Sequence, residues 1–375
     1  MKKKSKARKI IKLTALSLAG ILLASVLTVG IILYGRAATI LSVKQAGNQL
    51  YTVNFQQNYH LDKALSANIK SERELLQFIC DEFYFGYQVE NNVKKFACSA
   101  FLSDTPDGKK LVGRNFDFDA TETLSVYTHP SDGYASCSSV DLDVMAVGNP
   151  NGTDPMSLEG KIAMLAAPYL CVDGMNEKGL TASLLDVDFG EEHMHTDNPD
   201  LTVTMAIRLL LDLDYEEVHE NHDRPSILIV IAVRMLLDRA ANVDEALELL
   251  GQYDIHTAHG VSQHMFIADK DGKAVVVEWH KNQMKVSESN VCTNFRLSRK
   301  TESGDRKGQC DRFDVITERL AEHPQNNIEE AEDILKAASV SWTQWSCVYA
   351  LDDFTVDYVI DNDFENIIHL TEKDY

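Results

Sequence analysis

Acidic residues are absent from the first sixty-one positions, which hold nine Lys or Arg. The formal charge of the whole chain is −21, so residues 62–375 carry −30 once those nine positive charges are set aside. A body that acidic lacks the basic surface that phosphate contacts require, which argues against nucleic acid as a partner. Also missing are a P-loop, a G-x-G-x-x-G turn and a G-x-S-x-G elbow, so none of these nucleotide or serine-hydrolase devices carries the chemistry. Seven cysteines (80, 98, 137, 171, 292, 310 and 347) form no C-x-x-C pair and show no metal-ligand spacing. Their odd number leaves at least one thiol unpaired even if the others form disulfides. Internal repeats and low-complexity tracts are absent too.

What is present begins with a membrane signal. Met1 to Lys12 carries seven basic residues, and Leu13 to Tyr34 is an uncharged run of twenty-two, long enough for one helical crossing. Basic residues stay on the cytoplasmic side, which places the C-terminal body outside, on a single-pass anchor formed by residues 13–34. A cleaved signal peptide and a secreted body is the competing reading. It is weakened by the length of the apolar run and by Gly35-Arg36-Ala37-Ala38, a poor small-x-small cleavage site.

At 375 residues the chain has room for two average domains, or for one large domain with extensions. Residues 1–36 read as the basic N-terminus and anchor. Ala37 to His60, rich in Gln, Asn and Thr, suits a tether, and Ser71-Glu72-Arg73-Glu74 is a capping-box pattern that opens a helix. Tyr127 to Gly160 reads as loop. Tyr169 to Phe189 and His264 to Trp279 read as strand, turn, strand units, and Val291 to Ser298 as a short strand. Helical spacing appears between Leu201 and Gly251, near Asp311 to Glu322 and near Ile328 to Ala338, before final strands in Ser346 to Ile360. Hairpins alternating with helices make an α+β order.

One hairpin raises a chemical question. In "ACSAFLSDTPDGKKLVGRNFDFD", Ala97 to Asp119, two short strands flank a Pro106-Asp107-Gly108 turn. A turn centred near residue 106 sets Cys98 opposite Arg114, with Cβ atoms roughly 5 Å apart. A guanidinium at that distance favours the thiolate, the nucleophilic form. The ordinary reading of a single cysteine is a small buried hydrophobe.

Four stretches together resemble one family: the hairpin itself, "DGMNEKGLTASLLDVDF", "HMFIADKDGKAVVVEW" with "VCTN", and "GQCDRFDVI". In that order they are similar to blocks of the choloylglycine hydrolase family, the linear amide hydrolases that include bile salt hydrolases and penicillin V acylases. The resemblance runs from Cys98 to the C-terminus. It implies an N-terminal nucleophile hydrolase with a four-layer αββα sandwich over residues 98–375, which leaves residues 37–97 as stalk or propeptide after the single transmembrane helix read from the apolar run. It also implies cleavage at Ala97-Cys98, so that the freed α-amine of Cys98 acts as general base.

On the same resemblance, Cys98 attacks a linear amide and carries the acyl group as a thioester. Arg114 stabilises the thiolate, Asp117 orients the amine, Asn294 donates to the oxyanion, and Arg312 is a second active-site arginine. Asp186 stands where bile salt hydrolases carry an asparagine, and a carboxylate there opposes a developing negative charge. The partner implied is a small-molecule amide, with no cofactor and no metal, and homo-oligomers are common in the family.

Other readings of the residues stay open. His193, His195, His219 and His222, or His256, His259 and His264, offer zinc ligands. A papain-like protease lacks its local context around Cys98. A non-catalytic binding domain of the same fold is also consistent with the chain.

Overall fold

The computed structural model describes residues 2–84, 97–148, 152–187, 223–257, 262–280, 283–298 and 306–375. The chain begins with a long helix, α1 (Lys2–Ser42), followed by β1 (Lys44–Gly47), β2 (Leu50–Phe55), α2 (Leu61–Ser66) and α3 (Glu72–Phe83). Next come the strands β3 (Ala97–Asp104), β4 (Lys110–Asp117), β5 (Thr123–Thr128) and β6 (Ser136–Asp141), then helix α4 (Leu158–Ala163) and the strand pair β7 (Cys171–Asn176) and β8 (Leu180–Asp186). Beyond residue 222 lie β9 (Ser226–Leu228), α5 (Ile229–Arg239), α6 (Val243–Leu250), β10 (Asp254–His256), β11 (Gln263–Asp269), β12 (Ala274–His280), β13 (Gln283–Glu288) and β14 (Val291–Cys292). The chain ends with α7 (Asp311–Glu322), α8 (Ile328–Ala338), β15 (Thr343–Ala350), β16 (Thr355–Ile360) and β17 (Ile368–Leu370).

The strands form a nine-stranded sheet, β1-β2-β5-β6-β7-β8-β11-β12-β13, and a six-stranded sheet, β14-β3-β4-β15-β16-β17. Side chains alternate across a strand, and the large sheet uses both faces. Met265, Ile267, Val275 and Val277 join a core shared with α2, α3, α5 and α6. Their neighbours Phe266, Ala268, Ala274 and Val276 join a second core with the six-stranded sheet, α7 and α8. That is why "AVVV" at Ala274 to Val277 is an unbroken apolar run. The layers are helix, sheet, sheet, helix, so the fold is the α+β sandwich expected.

Two local expectations are corrected. Ala37 to His60 is no tether: it holds the end of α1 and two strands, and β2 runs parallel to β5 inside the large sheet. Tyr51, Val53 and Phe55 are buried there with Tyr59. Between Tyr127 and Gly160 the loop reading gives way to the end of β5 and to β6, "SCSSVD", whose hydroxyls find buried partners. Ser139 Oγ lies 3.1 Å from the Tyr349 hydroxyl and 2.8 Å from that of Tyr358. The helices at 311–322 and 328–338 keep their expected bounds, and α6 ends with Gly251 as its C-cap.

The anchor expected at residues 13–34 falls in α1, whose part Leu16–Ser42 is long and apolar enough to cross a membrane. The last turns of α1 are docked on the body. Thr39 is buried and its Oγ1 accepts from the Gln56 amide at 2.9 Å, while Arg36 donates to the Glu82 carbonyl at 2.5 Å.

Candidate active site

The β3–β4 hairpin positions the candidate nucleophile, with a register that differs from expectation. Asp104 pairs with Lys110, and Gly108 adopts φ +85°, a conformation that residues with a Cβ rarely take. The positive φ therefore falls after the Pro-Asp pair, the loop spans Thr105 to Lys109, and the centre moves to residue 107. Cys98 stands opposite Phe116, and Arg114 opposite Ala100. A two-residue offset preserves the face, so Arg114 remains diagonal to Cys98 on the same side of the sheet. Across the same hairpin Gly113 makes room for Phe101, whose ring would lie 2.5 Å from any added Cβ.

Cys98 is wholly buried, and its backbone N–H donates to Asn294 Oδ1 at 3.0 Å. The same oxygen accepts from Arg312 Nη2, and Arg312 Nη1 donates to Asp117 Oδ2. Thr343 Oγ1 donates to Asp117 Oδ1 at 2.6 Å, and Asp117 lies opposite Ala97 in the ladder. Four of the expected residues, Cys98, Asp117, Asn294 and Arg312, thus form one connected group around the Ala97-Cys98 peptide.

Asn294 departs from its expected orientation. Its Nδ2, the oxyanion donor of the family reading, donates to the Asp186 carbonyl at 2.6 Å, and it is the acceptor Oδ1 that faces Cys98. The Asp186 carboxylate accepts from Gln263 Nε2 at 3.1 Å and borders the same site.

Arg114 is also fully buried. It donates to Asp173 Oδ2 at 2.5 Å and to the Leu184 carbonyl at 2.9 Å, and Asp173 Oδ1 accepts from the Tyr349 hydroxyl at 2.5 Å. Sequence reasoning missed Asp173. The signal available was an aspartate interrupting the apolar strand Cys171 to Met175, a position where an acid is costly unless paired.

Arg114 favours the Cys98 thiolate as expected, but burial outweighs it. Burial, the largest cause, together with Asp117 and Asp186 pushes the thiol up to about 12 against the pull of Arg114. In the intact chain one arginine does not offset the desolvation.

His193, His195, His219, His222 and His259 lie outside the described residues. Among the described residues no group of three or more His, Cys, Asp or Glu is placed to hold a metal. His256 pairs with Asp254 and His264 with Glu278, each at 3.3 Å.

A conjugated bile acid hydrolase from Clostridium perfringens, solved as a mutant, matches at a TM-score of 0.50 with 15% identity, over 74% of this chain and 93% of that one. The chain has the N-terminal nucleophile hydrolase fold. It resembles the choloylglycine hydrolase family, in agreement with its sequence blocks. A penicillin V acylase from Agrobacterium tumefaciens matches at a TM-score of 0.48 with 15% identity, over 70% of this chain and 83% of that one. A family model, acyl-coenzyme A:6-aminopenicillanic acid acyl-transferase, matches residues 161–337, a stretch that contains Asp173, Asp186, Asn294 and Arg312 and begins after Cys98. No curated protein matches the chain.

Proposed function

We propose that the protein is an N-terminal nucleophile amidase that hydrolyses a linear, non-peptide amide through Cys98, on a body held outside the membrane by residues 13–34. The observation that carries this reading is the meeting of the Cys98 backbone nitrogen, Asn294, Arg312 and Asp117 at the start of β3. That nitrogen is an amide in the intact chain and becomes an amine on cleavage.

Cleavage starts with the Cys98 sulfur attacking the Ala97 carbonyl carbon. The C–N bond breaks, the Cys98 nitrogen takes up the proton, and water hydrolyses the resulting thioester to a carboxylate at Ala97 and a free thiol. The new amine lies beside Asn294 Oδ1, with the Arg312–Asp117 pair next to it. In the amidase cycle the amine accepts the thiol proton, sulfur attacks the substrate carbonyl, and the proton passes to the leaving amine as the C–N bond breaks. Water then releases the acid. Arg114, fixed by Asp173, holds positive charge on the sulfur's face of the sheet, and Asn294 Nδ2, released from the Asp186 carbonyl, supplies an oxyanion donor.

Substrates of the structural relatives suggest the first probes: penicillin V and a conjugated bile acid. The reading predicts amine release from at least one linear amide in such a panel, with a +acyl mass adduct on the Cys98-containing chain. Turnover that persists in Cys98→Ser and Cys98→Ala alike would remove the nucleophile from the proposal. The complete burial of Cys98 in the intact chain favours one other reading, a domain of this fold that is never cut and binds without catalysis.

A further inference from the structure

Asn294 lies on the segment that leaves β14, the edge strand of the six-stranded sheet. Both ends of that segment are fastened to two residues of the other sheet. His264 on β11 and Glu278 on β12 are directly opposite each other in the ladder, and both are wholly buried. They alternate with Met265 and Val277 and share the face of Phe266 and Val276, the face that meets the six-stranded sheet. His264 Nε2 lies 3.4 Å from Cys292 Sγ, two residues before Asn294. Glu278 accepts the Leu297 amide at 2.8 Å on Oε1 and the Ser298 amide at 2.7 Å on Oε2, just beyond Asn294. His264 Nδ1 and Glu278 Oε1 are 3.3 Å apart, so the two ends of the bracket are joined.

A buried carboxylate is costly unless its partners outweigh the lost hydration. Here burial pushes Glu278 up, but His264 and the Ser298 amide outweigh it and hold the carboxyl at about 2. Its hydrogen bonds run to His264 and to the stretch that follows Asn294. A leucine in that place would fill the core without fixing the Leu297 and Ser298 amides.

We propose that Glu278 and His264 are positioning residues that bracket the Asn294 segment and set Asn294 against Cys98. The inference rests on the reading of Cys98 as a self-processing nucleophile. It follows that Glu278 acts through Asn294, with no contact of its own to the reacting atoms.

The test is a double-mutant cycle on the full chain made in detergent, following cleavage at Ala97-Cys98 by intact mass over time. Glu278→Gln slows processing about 10- to 100-fold, the loss typical of a misplaced catalytic group. In the Asn294→Ala background the same change adds less than about 2-fold, because the group being positioned is gone. Multiplicative losses, the outcome of a general structural role, would overturn the inference. His264→Gln, measured in the same cycle, repeats the test should Glu278→Gln fail to accumulate. Hydrogen exchange supplies a readout that needs no processing: the Leu297 and Ser298 amides are protected in the wild type and lose protection in Glu278→Gln. Unchanged protection would also overturn it. A wild type that is never cut sinks the amidase reading, whereas normal cutting with multiplicative losses sinks only the bracket.

Discussion

The residues ahead of Cys98 and those after it pack into different places. The earlier segment feeds the outer core: Tyr51, Val53, Phe55, Leu61, Leu65, Phe78 and Phe83 are buried against the helices and the outer face of the large sheet. The core between the two sheets, where the candidate site lies, is built from Cys98 onward, with Leu50 as the one earlier residue among the described residues. The proposed cut before Cys98 would fall between two segments that feed different cores. The earlier segment packs as a structural layer, its strand β2 hydrogen-bonded to β5 in the intact chain.

The largest effect should come from the boundary itself. Cys98→Ala removes the nucleophile and lowers both processing and amide hydrolysis by at least ~1,000-fold. Comparable activity in that variant, measured on the same preparation, would dissolve the distinction between the two regions.

Next is the inner core. Asp173→Ala leaves Arg114 buried without its counter-charge and costs about 3–5 kcal/mol in denaturant unfolding. A loss below about 1 kcal/mol would mean that Arg114 is held by its carbonyl contacts alone.

The outer core should respond less. The Tyr59 hydroxyl donates to Asp238 Oδ2 at 2.6 Å, across the proposed cut, and Asp238 is ion-paired to Arg234 at 2.6 Å. Tyr59→Phe costs about 1–3 kcal/mol by leaving that carboxylate short of a donor. In processed protein it should also let the two chains separate at lower denaturant in size-exclusion runs. Chains that part without denaturant in the wild type would show that the earlier segment is a removable propeptide.

The smallest effect lies far from the boundary. Burial, with Asp357 and Glu329 nearby, raises Glu332 to about 7. Its folded value exceeds its unfolded one, so the stability linked to its proton is complete below about 4.5 and is lost as pH rises through 7. Glu332→Gln should flatten the unfolding midpoint across that window, and an unchanged pH slope would discount the buried acid.

Much of the frame was legible from the sequence. The helices at 311–322 and 328–338 and the hairpin at 97–117 announce themselves by periodicity, capping residues and turn chemistry. The hairpin register was not legible, because it depends on which residue takes the positive φ, and Gly108 takes it one position past the Pro-Asp pair. The strands at 50–55 and 136–141 were missed for a different reason. Their Ser, Thr and Asn residues read as solvated loop, yet Ser139 meets Tyr349 and Tyr358, from strands more than two hundred residues away, and Leu50–Phe55 is paired along its length with β5. At the site, the residue types came from the resemblance. Their arrangement, with Asp173 behind Arg114 and Asn294 presenting its oxygen to Cys98, needs the two sheets face to face.

The central claim is that Cys98 becomes an N-terminus. Its most direct test is the intact mass and N-terminal sequence, under denaturing conditions, of the full chain purified in detergent beside its Cys98→Ala variant. The account predicts two chains in the wild type, one of them beginning at Cys98, and one uncut 42.0 kDa chain in the variant. A single uncut chain in both would contradict it.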